Sequence, residues 1–199
     1  MEPVTVRVYY DFASTLCYVA HHVLESVKDD IEGIGVQLEW RPIDLTEAAP
    51  WDRGDSFTDE IRSSIREVAG QLGIDVEMPD PWLDSRPASE IALQLDAPSA
   101  ESRWRNAVFD TFFRIGEPYL TPELDALAVQ LMTDPAADFD NFPRLQDSTR
   151  EAFALGVTGV PTMLLDHWAF GGIHDGPSMV SILGQLADKH RELGTSVVN

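Results

Sequence analysis

Ser14-Thr15-Leu16-Cys17 sets a hydroxyl and a thiol three residues apart, directly after the alternating run VTVRVYY. The spacing is that of a C-x-x-C redox pair with serine in the first place. A thiol acts as a nucleophile through its thiolate. The unpaired N–H groups and partial positive charge of a helix N-terminus favour that form. Serine works differently there. Its hydroxyl stays protonated and forms no disulfide, but it can donate a hydrogen bond to a thiolate supplied from elsewhere. Two plainer assignments stand beside these. Ser14 can be a simple N-cap, accepting from the backbone N–H of Leu16 or Cys17. Cys17 can be a small buried hydrophobe.

Cys17 is the single cysteine of the chain. No intrachain disulfide staples the fold, and a mixed disulfide at Cys17 has no internal thiol to resolve it. Any redox cycle is therefore monothiol and needs an external thiol. His21, four residues on, can share a helix face with Cys17 and activate it, with His22 and Glu25 nearby. A solvated helix face is the competing assignment. The histidines are too sparse for a metal site.

These residues need a strand and a helix to position them. Val4, Val6, Val8 and Tyr10 alternate with Thr5, Arg7 and Tyr9, which predicts a strand over 4–10. A helix is expected from the Ser14 cap to about Ile31, ending at the glycines of EGIG. VQLEWRPIDL (36–45) reads as a second strand ending near Pro42. The first forty-five residues are thus β-α-β, with a helix long enough for a parallel crossover. From Glu47 to about Gly156 the pattern is helical. Segments are expected over 56–72, 88–95, 100–115, 121–132 and 141–156, with Pro118, Pro122 and Pro135 near their ends. VTGVPTMLLD and HWAFGG read as two short strands turning at Asp166–His167. A closing helix starts near Pro177, and the tail after Gly194 is expected to fray.

Thirty-four acidic against fourteen basic residues give a formal charge of −20, and Lys28 and Lys189 are the only lysines. Such a surface repels phosphate backbones and anionic bilayers, so neither nucleic acid nor membrane is an expected partner. Few lysines and many aspartates suggest a halophilic protein kept soluble where salt screens self-repulsion. An ordinary acidic protein of a GC-rich genome is the other reading. The opening residues carry no basic segment followed by an apolar stretch, which predicts a cytoplasmic protein without a signal peptide.

YYDFASTLCYVA resembles the active-site junction of DsbA-family thioredoxin-fold proteins. LDSRPASEIALQL and WRNAVFDTFFRIGEPYLTPELDALA resemble that family's helical insertion, and GVTGVPTMLLDHWAFGG its cis-proline segment. The wording is nearest to the FrnE-like branch. The resemblance implies an α/β thioredoxin-like fold (β-α-β … β-β-α) with an all-helical insertion between the second and third strands. Residues 1–46 and 157–199 would form the thioredoxin-like domain and 47–156 the insertion. It implies that Ser14 replaces the exposed nucleophilic cysteine and that Cys17 matches the resolving one. The bond before Pro161 would be cis, with the Val160 backbone pairing to a peptide or to glutathione. Tyr10, Asp11, Phe12 and Trp40 are expected near that pocket, with Asp11 and Phe12 among the thiol-binding residues. GGIHDGP (171–177) offers an anion site or merely a capped turn.

Related 2-hydroxychromene-2-carboxylate isomerases and kappa-class glutathione transferases carry serine at the first position. There, by resemblance, it stabilises a glutathione thiolate. Three readings follow. The chain is a DsbA-like oxidoreductase with monothiol chemistry at Cys17, or an isomerase or transferase using Ser14 with glutathione or another low-molecular-weight thiol. The third is a non-catalytic binding module. A thiol substrate, small molecule or protein, is the expected partner, with a homodimer as an option. No bound cofactor is required beyond that thiol.

Overall fold

The computed structural model describes residues 3–47, 54–82, 84–117, 120–132 and 141–196. Strand β1 (Val4–Tyr10) leads into α1 (Thr15–Ser26) and α2 (Lys28–Gly33), then β2 (Val36–Pro42). Helices α3 (Asp59–Gln71), α4 (Arg86–Ala92), α5 (Pro98–Asp110), α6 (Pro122–Leu131) and α7 (Pro143–Ala154) follow. The chain closes with β3 (Thr162–Leu165), β4 (Trp168–Gly171) and α8 (Gly176–Ser196). Pro118 and Pro135, expected near helix ends, lie outside the described residues, as do the last three residues of the tail.

The four strands order β2-β1-β3-β4. β1 runs parallel to β2 in the register Val4↔Val36 to Tyr10↔Pro42. β3 is antiparallel to both β1 and β4. One face of the sheet presents Val4, Val6, Val8 and Met163 to α1, α2 and α8 through Val23, Leu24, Ile31, Met179 and Leu183. On the opposite face Tyr9 and Leu164 pack against Ala152 of α7. Alternation along β1 therefore gives one apolar face, while the other is apolar at Tyr9 and polar at Thr5 and Arg7.

The expected helix through Ile31 is instead two helices broken at Val27, whose φ of −120° leaves the helical range. The Ser26 hydroxyl donates to the Val23 carbonyl at 2.7 Å. Val27 meets the start of α8 so closely that a Cβ on Gly176 would lie 2.5 Å from Val27 Cγ1. A β-branched residue wedged there ends one helix and starts the next. The expected 100–115 helix likewise changes pitch. α5 ends at Asp110 and a wide π turn covers Thr111–Ile115, stopped by Gly116 at φ +86°. α8 continues past Gly194 to Ser196.

The largest core cluster lies among the central helices. Trp104, Phe109, Phe112 and Phe113 meet Tyr10, Phe12, Cys17 and Tyr18 from the β1–α1 junction. The junction is thus roofed by apolar side chains of the helical block.

Candidate functional site

Ser14 caps α1 with extended backbone (φ −90°, ψ 112°), and its Oγ accepts from Cys17 N at 3.3 Å. Its own N–H donates to the Asp11 carbonyl at 3.0 Å, closing the turn that leaves the strand. Ser14 is half-buried, as is Leu16, while Thr15 and Cys17 point inward. The serine of the S-x-x-C sequence therefore keeps part of its surface exposed and the cysteine none.

Cys17 has no exposed surface. Burial pushes its thiol up to about 12, with the Asp11 charge adding to the rise and the Ser14 contact opposing it. The helix dipole was expected to favour a thiolate. Removal from water by the helical block outweighs it. Cys17 is a core residue in this fold, as the second of its two sequence assignments has it.

His21 corrects a second expectation. It is 1% exposed rather than solvated, stacked on Phe109 at 5.2 Å between ring centroids. Its Nδ1 accepts from Arg105 Nε at 3.3 Å. Burial first, then the Arg105 charge, lowers its pKa to about 3. The ring is neutral and engaged by α5, so it does not hold a proton for Cys17. His22 packs edge-on to Tyr18 and faces Asp110 at 3.9 Å.

Asp11 and Phe12 do not line an open pocket. Phe12 has no exposure and packs between Tyr10 and Phe109. Asp11 is 1% exposed and its oxygens face protein donors. Oδ1 accepts from Ala13 N at 2.8 Å and Ser85 Oγ at 2.5 Å, and Oδ2 from Leu45 N at 2.7 Å. Burial still dominates, and its pKa rises to about 6. Both residues shape the turn from beneath. Trp40, also expected here, borders a different cavity of about 150 Å3 between α1, α2, β2 and α5. There the Arg105 guanidinium lies 4.1 Å from the Trp40 ring.

The Val160–Pro161 peptide is cis. Thr162 pairs with Tyr9, so Pro161 sits one residue beyond the ladder, at the end where β1 exits towards Ser14. An open groove of about 380 Å3 runs along Thr158, Gly159, Val160 and Pro161 to Gly171 and Gly172. Val160 packs against the cluster containing Phe12 and Cys17. The fold therefore brings Ser14, Val160 and Pro161 to one end of the sheet.

The 171–177 segment is a capped turn. Asp175 Oδ1 accepts from Ser178 N at 2.9 Å, which places the chain's own carboxylate at the start of α8. Among the described residues no cluster of His, Cys, Asp or Glu is arranged to hold a metal. No helix there is long and apolar enough to cross a membrane.

Sequence reasoning missed three residues, two at this end and one beside Trp40. Ser85 and Trp82 reach the junction from the helical block, Ser85 to Asp11 and Trp82 Nε1 to the Ala13 carbonyl at 2.9 Å. Both lie about seventy residues from their partners, beyond any local pattern. Arg105 left a faint signal, the Glu101–Arg105 spacing of a helix ion pair.

A family model for the DSBA-like thioredoxin domain matches residues 5–184. Solved structures with the same fold include a 2-hydroxychromene-2-carboxylate isomerase at 22% identity and TM-score 0.69, covering 96% of this chain and 99% of that one. A putative protein disulfide isomerase from Nitrosomonas europaea gives 17% identity at TM-score 0.69, with the same coverage of 96% and 99%. The cytosolic disulfide reductase DsbM from Pseudomonas aeruginosa, solved with GSH, gives 18% identity at TM-score 0.57, covering 98% and 99%. At such identities these likenesses speak for the fold alone. No curated protein matches the sequence.

Proposed function

Taking as premise that the chain belongs to the DSBA-like thioredoxin-domain family, we propose that it binds a low-molecular-weight thiol, glutathione or an equivalent, and uses it in isomerisation or group transfer. The observation that carries this reading is the exposure contrast at S-x-x-C: Ser14 borders the surface, whereas Cys17 is sealed and protonated.

Hydrogen-bond accounting supports the assignment to Ser14. The Oγ atom accepts from Cys17 N, and its O–H, which also reaches the Cys17 thiol, can turn to donate elsewhere. Turned outward, that O–H and the positive end of α1 stabilise a thiolate, the thiol proton having passed to solvent. Val160 and Pro161 place backbone at the same end of the sheet, beside an open groove, for the thiol's peptide portion. When bound, a thiolate supplies a nucleophilic sulfur that can add to an electrophilic carbon and leave again. Among structures with this fold, one is named as an isomerase and another was solved with GSH, consistent with the reading. Thiol–disulfide exchange through Cys17 is disfavoured, because it requires the thiolate that burial suppresses.

The test is titration of the folded protein with glutathione, and with other cellular thiols, followed by thiolate ultraviolet absorbance at neutral pH. The expected signal appears in wild type and Cys17→Ala alike. Ser14→Ala weakens it about 10- to 100-fold, the worth of a hydrogen bond to a charged group. No thiolate signal with any thiol, or one that follows Cys17 instead of Ser14, overturns the proposal. Native Cys17 should resist alkylation at pH 8 and react once urea unfolds the chain.

A further inference from the structure

We propose that Ser85 and Trp82, on the segment entering α4, are positioning residues for the Ser14 turn, so that the helical block sets the geometry of the site. The inference deepens the thiol-binding reading and rests on it for function. The coupling itself stands on separate geometry.

The turn from Asp11 to Ser14 has few internal restraints. The Ser14 N–H reaches the Asp11 carbonyl, and the Ala13 N–H reaches Asp11 Oδ1. Helix α1 adds the Cys17 and Tyr18 amides on Ser14, and the remaining polar restraints come from outside the strand and helix it joins. Leu45 N, just past β2, holds Asp11 Oδ2 at 2.7 Å. Ser85 Oγ holds Oδ1 at 2.5 Å, and Trp82 Nε1 holds the Ala13 carbonyl at 2.9 Å. Ser85 and Trp82 are 5% and 4% exposed. Water is therefore not at hand to replace either donor if it is lost.

The two bonds hold the turn on either side of Phe12. One fixes the carboxylate of Asp11 and the other the carbonyl of Ala13, immediately ahead of Ser14. A rotation at Ser14 would move both acceptors away from their donors. Ser14 can hold a thiolate at a fixed angle only while that turn is fixed, since a positioned donor loses its value when displaced. The helical block does this from a distance in sequence, with side chains that touch neither groove nor ligand. Other polar ties join block and sheet outside the turn. Ser148 Oγ donates to the Pro42 carbonyl at 2.7 Å, for example, without touching the turn.

Cys17 supplies the readout. It lies one turn beyond Ser14 and becomes alkylable when the start of α1 opens. Ser85→Ala and Trp82→Phe each remove a donor. Each should speed Cys17 alkylation about tenfold under native conditions. Ser85→Thr, which keeps the hydroxyl, should restore the slow rate, and Ser148→Ala should leave it unchanged. In the thiol-bound protein, Ser85→Ala should also raise the pH at which the bound thiol ionises. Unchanged Cys17 alkylation in both Ser85→Ala and Trp82→Phe overturns the positioning role, whether or not a thiol binds. Faster alkylation in a protein that binds no thiol keeps the coupling and removes the thiol reading. Wild-type amide exchange gives a route independent of any variant's folding. The Ser14, Cys17 and Leu45 amides should share one opening free energy, and independent opening of Leu45 refutes the coupling.

Discussion

Glu90, on α4 and without exposed surface, caps the N-terminus of α7: its Oε2 accepts from Leu145 N at 2.9 Å. Phe142, the residue at the cap position, stands at φ +46° and offers no side-chain acceptor. The first free N–H groups of α7 therefore find their acceptor on another helix, with Arg144 adding a long 3.9 Å contact. A carboxylate at the positive end of a helix also gains from the dipole. Glu90→Ala removes the cap and strands a buried N–H, which should cost about 2–3 kcal/mol. Urea unfolding measures it. A loss under about 0.5 kcal/mol would show that water replaces the cap.

Arg105 organises a second buried polar group. Its guanidinium pairs with Glu25 at 3.0 Å and with Glu101, and it stacks on Trp40. Burial raises the Glu101 pKa and Arg105 opposes the rise. Removing the arginine leaves carboxylates uncompensated in a low-dielectric site, so Arg105→Met should cost about 3–5 kcal/mol. Arg105→Met with Glu101→Gln should recover part of that loss. A double-mutant cycle by chemical unfolding reads the coupling, and additive single losses would show the pair to be independent.

Much of the scaffold was legible because it is local. Period-two alternation placed β1 on 4–10, and Pro42 marked the end of β2. The Ser14 cap was readable because a hydroxyl three residues before a helical amide is a short-range device. The helix break at Val27 was not readable, because it depends on Gly176 arriving from the other end of the chain. The site was legible to the same extent. Ser14 and Pro161 announce themselves in the sequence. The sealing of Cys17, the neutrality of His21 and the Ser85–Asp11 bond are set by helices far along the chain. Local electrostatics at a helix start favoured a reactive Cys17, and tertiary burial reversed the sign.

Asp11 and His21 should pull acid stability in opposite directions. The folded Asp11 carboxyl titrates near 6, above its ordinary 3.8. The native state thus holds the proton more tightly, and this stabilisation is complete below pH 4 and lost as pH rises through 6. The folded His21 ring titrates near 3, below its ordinary 6.5. Its contribution is complete above pH 6.5 and lost as pH falls towards 3. Between pH 4 and 6 the two slopes oppose, each about 1.4 kcal/mol per pH unit at full strength. Asp11→Asn removes one of them and, by placing an amide N–H2 against backbone donors, lowers stability overall. The variant should show a steeper acid loss over pH 4–6 than wild type in urea midpoints. Parallel profiles, or a carboxyl carbon-13 titration of Asp11 centred below 4, would refute the assignment.

The charge of −20 sets the last expectation. Thirty-four carboxylates against fourteen cations repel one another across the folded surface, and ionic strength shortens the range of that repulsion from about 10 Å at 0.1 M to about 3 Å at 1 M. Compaction raises the repulsion, so the native state gains more from screening than the unfolded chain does. Some attractive pairs lose strength at the same time, including Arg150–Asp147, whose side chains are each 72% exposed. Such exposed pairs contribute little to begin with, so the net sign follows the excess charge. Thermal midpoints should rise steadily from 0.1 to 2 M potassium chloride. Potassium chloride and sodium chloride should act alike if screening is the cause. A flat profile would remove the high-salt adaptation and leave the acidity without a role in stability.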